Sequence, residues 1–510
     1  MDNSDSIDKT PARAVSEATE PEKPANDVKQ LDHAALFLAN ADVQEPALSP
    51  AREKRLLRKI DCLLLPMLFV TATLGAVDKV AISTAAIYGL RDDIGLHGQQ
   101  YSWLGSILSL GALVGMFPSS ALMHKFPSGK YLCACSCGWS AMALIFPACT
   151  NWAGMMAVRF LMGAFEAIIV PGISVLIAGW YKKEEQPPRN ALVFAAASSV
   201  VNGFLSWLIG HIPDDAPLAK WQYLYLLVGS ISMAWSIFVL IFLPDSPMNA
   251  IFLTKEEKVF WVGRLSQNKT GIVNKTWKWD QVREALLDPK TWIIFFFNIA
   301  INIPNGGLTT FNGIIINNLG FSAKEASLLS MPTGVMSTLA SFIFSLIAAK
   351  WANRRCIVTV IACVIPIIGT AILYGVSRTA VPAQMVGLYL CYTYFGPYVV
   401  GISLAQANTA GNTKKNVAFA VLYVGYAVGN LIGPQTFRAS QAPAYTGGVV
   451  AMLCCYCACI GLILVYWLVC VRMNRRLLLV AEEVPAEGAP VEDRFHDLTD
   501  WKQRDFRYTT

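Results

Sequence analysis

Arg159 and Glu166 stand seven residues apart in an apolar stretch, a spacing that returns both side chains to one helical face, about 10.5 Å apart along the axis. A guanidinium stays protonated and offers a planar fork matched to carboxylates. A carboxyl group sheltered from bulk water can load and release a proton. The pair therefore reads as two stations at different depths of one cavity, with Arg159 attracting an anion and Glu166 carrying a proton. The competing reading is a structural ion pair that locks this helix to a neighbour.

Two more charges, Asp78 and Lys79, fall inside another apolar run. As sequence neighbours on a helix they point about 100° apart, so one lines a cavity while the other pairs with an adjacent helix, and the residue types leave open which does which. A purely structural role for them stands on equal terms. An ionised side chain in the bilayer centre costs about 3 kcal/mol on insertion scales, which is why such residues usually mark a function. The second half of the chain has no Asp, Glu, Lys or Arg in the interior of its apolar runs. It has a polar stripe instead: Asn298, Asn302, Asn305, Thr309 and Asn312 recur at spacings of four and three. Amides in hydrocarbon need partners, so this face lines water, substrate or another helix. Pro304, Gly306 and Gly307 interrupt the same stretch and suggest a kinked or partly unwound helix. Gly425, Gly429 and Gly433 repeat every four residues and invite close helix packing, with Asn430 beside them as a further candidate for the cavity. His211 reads as an interfacial histidine rather than a titrating group.

The elements that position these residues must cross a membrane. Of 510 residues, 54% are hydrophobic and 15% charged, and the mean hydropathy is +0.44, too apolar for a water-soluble enzyme of this size. About 20 apolar residues in a helix span a bilayer, and such runs occur in series, six, then a long polar loop, then six. The expectation is an all-α integral membrane protein of twelve transmembrane helices in two six-helix pseudo-repeats. Its divisions are a disordered tail over 1–58, a first bundle over 59–244, a central loop over 245–290, a second bundle over 291–471 and a polar tail over 472–510. Basic residues gather on one side, from Arg52 to Lys59, at Lys125 and Lys130, and at Lys414, Lys415, Arg472, Arg475 and Arg476. By the positive-inside rule both termini and the central loop face the cytosol, which puts the sequons at Asn268 and Asn274 out of reach of glycosylation. The thirteen cysteines lie mostly within apolar runs and read as small buried hydrophobes, with no ligand set for a metal and no cofactor implied. The net charge of +6 forms no dense stripe for nucleic acid. No nucleophile and base stand together as in an enzyme site.

Several segments together resemble the major facilitator superfamily, and within it the anion:cation symporters of the fungal allantoate permease type. They include Tyr101-Ser-Trp-Leu-Gly-Ser, Lys125-Phe-Pro-Ser-Gly-Lys, Arg159-Phe-Leu-Met-Gly with Glu166, Leu243-Pro-Asp-Ser-Pro, Asp288-Pro-Lys-Thr-Trp, Ile303-Pro-Asn-Gly-Gly, Asn408-Thr-Ala-Gly-Asn-Thr-Lys-Lys and Gly429-Asn-Leu-Ile-Gly-Pro-Gln. The resemblance covers about 61–471. It implies the major facilitator fold, a plasma-membrane location, and proton-coupled uptake of a small organic anion. It also implies that Arg159 and Glu166 match the charged pair of helix 4 in that symporter family. Where the superfamily's loop after helix 2 usually carries an Asp, this chain reads Met123-His124-Lys125. The expected partners are an organic anion, a coupling proton and the lipid bilayer, with the chain working as a monomer. Export of an endogenous metabolite, or nutrient sensing without transport, are the other readings of such a chain.

Overall fold

The computed structural model describes residues 50–182, 185–193, 198–266, 278–351, 353–483, 498–503 and 506–510. Among them there is no strand. Eleven helices are long and apolar enough to cross a membrane. In chain order the spans are α1 (Ala51–Ile87), α2 (Gln100–Met123), α3 (Ser128–Ala148), α4 (Trp152–Trp180), the shorter apolar helix α5 (Ser198–Ile209), α6 (Lys220–Phe242), α7 (Pro289–Asn317), α8 (Ala323–Lys350), α9 (Arg355–Gly375), α10 (Val381–Ala407), α11 (Asn412–Thr436) and α12 (Thr446–Arg476). The fifth expected span, 190–212, is represented by Gln186–Val193 and α5, on either side of residues 194–197, which lie outside the described residues. Residues 1–49 and both sequons also lie outside them.

The two halves repeat one packing scheme. Helix α2 packs on α4 as α8 packs on α10, α3 on α6 as α9 on α12, and α1 on α6 as α7 on α12. Small residues allow the tightest of these approaches: a Cβ at Gly163 would collide with the Leu108 carbonyl of α2, and one at Gly433 with the Ile303 carbonyl of α7. The glycine repeat of α11 thus serves its packing against α7. Between the halves α1 meets α7, α2 meets α11 and α5 meets α8, a set that maps onto itself when the halves are exchanged. The outward surface is apolar, with Phe117, Ile241 and Phe342 exposed where hydrocarbon would lie.

Contacts between the halves concentrate toward one end. Tyr101 Oη donates to the Thr310 carbonyl at 2.6 Å, Ser106 Oγ to the Leu431 carbonyl at 2.7 Å, and the Gly313 amide to Ser83 Oγ at 2.7 Å. These residues sit near the C-terminal ends of α1, α7 and α11 and the N-terminal part of α2. At the opposite end the described ion pairs stay on one side or the other. Lys59 pairs with Glu257 at 2.8 Å, Arg189 with Asp61 at 2.7 Å, and Arg264 with both Glu53 and Glu185 at 2.6 Å. These pairs bind the helix Lys255–Ser266 of the central loop to the first half and extend α1 well before its apolar run begins at Ile60.

Besides a one-residue break in α8 at Ser330, between Leu329 and Met331, two spans are interrupted near their middle. Helix α4 is regular over Trp152–Glu166 and resumes at Ile169, and α10 passes through a 3-10 turn at Tyr392–Tyr394. Each interruption includes the residue four before a proline: Pro171 has no N–H for the Ala167 carbonyl, and Pro397 none for that of Thr393. In both cases a glycine adjoins the proline, Gly172 or Gly396, which lowers the helix preference further. Of the two expectations for α7, a kink or a partial unwinding, the unwinding does not occur. That helix runs unbroken from Pro289 to Asn317 with Pro304 inside it, and Gly306 and Gly307 instead make room for the Asn430 backbone and the Phe437 ring.

Candidate functional site

The first half supplies the charged wall. Asp78 and Arg159 are almost wholly enclosed, while Lys79 and Glu166 lie deep in the protein and still keep accessible surface. The surface that α4 turns outward is carried by Leu161, Val170 and Val175. Arg159 Nη1 donates to Tyr225 Oη of α6 at 3.2 Å. Neither carboxyl oxygen of Asp78 has a hydrogen-bond partner among the described residues, nor does Arg159 Nε. Asp78, Arg159 and Glu166 act on one another electrostatically, and Lys79 acts on Glu166. Among the described residues no carboxylate closes a direct ion pair with Arg159. Glu166 closes the regular part of α4, at the edge of its interruption.

Amides and phenols make the opposite wall. Lys79 Nζ reaches across from α1 to donate to Tyr426 Oη at 2.9 Å and Asn430 Oδ1 at 3.3 Å on α11. From there the bonds run through α7. Asn430 Nδ2 donates to Asn302 Oδ1 at 3.4 Å, Asn302 Nδ2 to Asn298 Oδ1 at 2.8 Å, and Asn305 Nδ2 to Asn302 Oδ1 at 3.1 Å. Asn298 Nδ2 donates in turn to the Leu422 carbonyl of α11. Asn305 Oδ1 accepts from Tyr394 Oη of α10 at 2.6 Å and from Thr309 Oγ1 at 3.3 Å. The stripe of α7 is therefore a hydrogen-bonded seam among α7, α10 and α11, with its upper rung tied to the one lysine that crosses between halves at this depth among the described residues. Asn312, seven residues beyond Asn305, is buried with its Oδ1 unpartnered and lies outside this chain of bonds.

Residues 67–434 match the family profile described as the Major Facilitator Superfamily. The chain belongs to that superfamily. Along its length it is 38% identical to an MFS-type transporter, cnsL, of Penicillium expansum, over 91% of this chain and 89% of that one. It is 32% identical to the allantoate permease of Saccharomyces cerevisiae, over 92% of this chain and 88% of that one. Among solved structures, a bacterial homologue of the human lysosomal transporter Spinster, inward-facing and unoccupied, superposes with a TM-score of 0.58 at 14% identity, covering 83% of this chain and 97% of that one. The fold is that of a major facilitator, of the allantoate permease type, and the chain is a transporter and not an enzyme.

In this facilitator the structure brings Asp78, Lys79, Arg159 and Glu166 within electrostatic reach of one another and links Lys79 to Asn430 and, through it, to Asn302. Asp78 turns toward Arg159 and Tyr225, and Lys79 toward α11, which separates the two neighbours as their 100° offset requires. Reasoning from residue types alone missed the tyrosines. Tyr225, Tyr394, Tyr398, Tyr423 and Tyr426 interact with the charged groups or with one another, yet a tyrosine in an apolar run is too ordinary to stand out. A usable signal was the clustering of Tyr389, Tyr392, Tyr394 and Tyr398 around Pro397. His211 is exposed and its Nδ1 lies 2.9 Å from the Trp207 carbonyl of its own segment.

Proposed function

We propose that this transporter carries a small organic anion inward together with a proton, as a monomer in the plasma membrane with both termini in the cytosol. The observation that carries the proposal is the meeting of two carboxyls, Asp78 and Glu166, with two cations, Lys79 and Arg159, at one interior site between the halves. Arg159 receives the anion through the fork geometry of its guanidinium. Glu166 takes up the proton, and Asp78, with no donor held against it, supplies a second carboxyl for that exchange. Lys79 bridges to Tyr426 and Asn430, and an anion competes for its ammonium group, so binding changes the tie between the halves. The interruptions of α4 and α10 are where each half can flex as the site changes its exposure.

The end opposite the hydrogen bonds that join the halves carries the basic residues from Arg52 to Lys59, together with Lys414 and Arg472. By the positive-inside rule that end faces the cytosol. Moving one charge down a 100 mV potential contributes about 2.3 kcal/mol, so each extra proton carried with the anion increases accumulation.

The test is uptake of labelled allantoate and related ureido and vitamin-like acids in a permease-deficient host, at about pH 5 and about pH 7.5, values that straddle the range of a sheltered carboxyl. Accumulation is expected to be greater at the lower pH, and Glu166→Gln is expected to abolish it while leaving exchange of internal for external substrate. Accumulation indifferent to pH overturns proton coupling, and net outward flux of an internal product assigns the protein to export instead.

A further inference from the structure

Two segments noted in the sequence, Asp288-Pro-Lys-Thr-Trp and Asn408-Thr-Ala-Gly-Asn-Thr-Lys-Lys, have no place in the transport site. The structure shows what they hold. Asp500, fully buried, pairs at 2.7 Å with both Lys290 of α7 and Lys414 of α11, and the same lysines reach Asp288 at 3.4 and 3.0 Å. Thr509 exchanges hydrogen bonds with Asn408, its amide donating at 2.7 Å and its carbonyl accepting at 2.8 Å. Tyr508 does the same with Asn474 of α12, at 2.9 Å each way. Residues 498–503 and 506–510, within the stretch read from sequence as a polar tail over 472–510, are thus built into the second bundle.

Docking this segment beside α12 creates a cleft of about 450 Å³. Pro289, Val469, Met473, Trp501 and Tyr508 line it with apolar and aromatic surface, together with the exposed Arg472 and Arg476, one turn apart on α12. Asp500 also borders the cleft, but its charge is already matched: two carboxylates, Asp288 and Asp500, face two lysines. Among the described residues no carboxylate pairs with either arginine. Arg472 is the first basic residue after the apolar run of α12, so the cleft lies where hydrocarbon gives way to headgroups. Trp501 is 42% exposed at that level, the depth at which indole rings anchor in an interface.

We propose that the cleft binds the headgroup of one acidic phospholipid, with Arg472 and Arg476 on the phosphate and the glycerol and upper acyl chain along Val469, Met473 and Trp501. Guanidinium forks suit phosphate oxygens. On the orientation proposed above the cleft faces the cytosolic leaflet, which carries the acidic lipids. Because the docked segment forms one wall, lipid binding and docking stabilise each other, and the coupling is reciprocal.

The test reconstitutes the full-length protein in nanodiscs of phosphatidylcholine with a minority of phosphatidylserine, then releases it and counts retained phosphatidylserine by native mass spectrometry. One retained lipid is expected in the wild type and in Arg475→Gln, whose side chain does not line the cleft. In Arg472→Gln/Arg476→Gln affinity is expected to fall roughly thirtyfold. Trp501→Ala is expected to weaken retention without changing the preference for acidic over zwitterionic lipid. Equal losses in Arg475→Gln and in the double variant would mean diffuse surface attraction and overturn the site. Full displacement by soluble glycerol 3-phosphate would overturn the lipid assignment in favour of a free phosphate. None of these outcomes depends on which substrate is carried or in which direction.

Discussion

Helices α4 and α10 occupy corresponding places in the two halves and are interrupted in the same way, yet they present different chemistry to the space between them. Counted back from the proline, Tyr392 holds the position of Glu166, and Met385 that of Arg159. The shared backbone feature follows from a missing N–H beside a glycine, and the side chains at matching positions are free to differ. One half therefore supplies charges that can hold an anion and a proton. The other supplies phenols and amides that hydrogen-bond in any protonation state and hold a fixed surface opposite. The second half buries charges too, but at the far end of α7 and α11, where Lys290, Lys414, Asp288 and Asp500 balance one another and serve structure.

Substitutions can break this contrast. The largest effect is expected from Arg159→Ala: losing one partner of an enclosed charge interaction costs about 2–5 kcal/mol, so substrate affinity measured by competition should fall at least thirtyfold, whereas Met385→Ala should leave affinity unchanged. Equal losses at the two positions would show that the halves share the anion site. Asp500→Asn comes next, leaving two buried lysines against one carboxylate at a cost of about 3 kcal/mol in stability, read as a lower unfolding temperature in detergent with the proton dependence of transport intact.

The same carboxyl has a pH signature. Burial alone would push the Asp500 carboxyl up, but Lys290 and Lys414 outweigh it and hold it below the usual carboxylate range. A group with a depressed folded value contributes stability above its unfolded value, about 3.9, and loses it as pH falls through the folded value. Docking of 498–510, followed by protease protection, is therefore expected to be flat between about pH 5 and 8, the range over which transport should change. A smaller effect is expected of Pro171→Ala, which restores a helical hydrogen bond and should raise stability by up to about 3 kcal/mol while slowing turnover. Pro397→Ala should act alike if the two interruptions flex together. Tyr394→Phe removes one neutral bond to Asn305 and should cost about 1 kcal/mol, visible as a modest rise in KM without altered pH dependence.

The architecture was legible because each span must hide its own backbone from hydrocarbon, a demand that imposes long apolar runs on the sequence. Arg159, Glu166, Asp78 and Lys79 were legible for the complementary reason, since a charge within such a run is costly and conspicuous. Helix irregularity was harder to read. Pro66, Pro118, Pro304 and Pro366 all sit within unbroken helices, while Pro171 and Pro397 do not, so proline alone does not locate a break and the adjoining glycine has to be weighed with it. The direction taken by the asparagine stripe was also hidden, because amide spacing along α7 does not say that Tyr394 and Asn430 come to meet it. Least legible was the docked segment. Asp500 belongs to a stretch that reads as polar tail, and its burial depends on two lysines contributed by helices 210 and 86 residues earlier in the chain.

That dependence bears on biosynthesis. Asp500 emerges from the ribosome after α1 to α12 have been made, so Lys290 and Lys414 enter the assembly with Asp288 as their shared counter-ion and gain the second only afterwards. The junction of α7 with α11 is thus completed from the aqueous side, by a segment that never has to cross the bilayer, and a nascent chain cut short before it would carry an unbalanced positive charge at that junction.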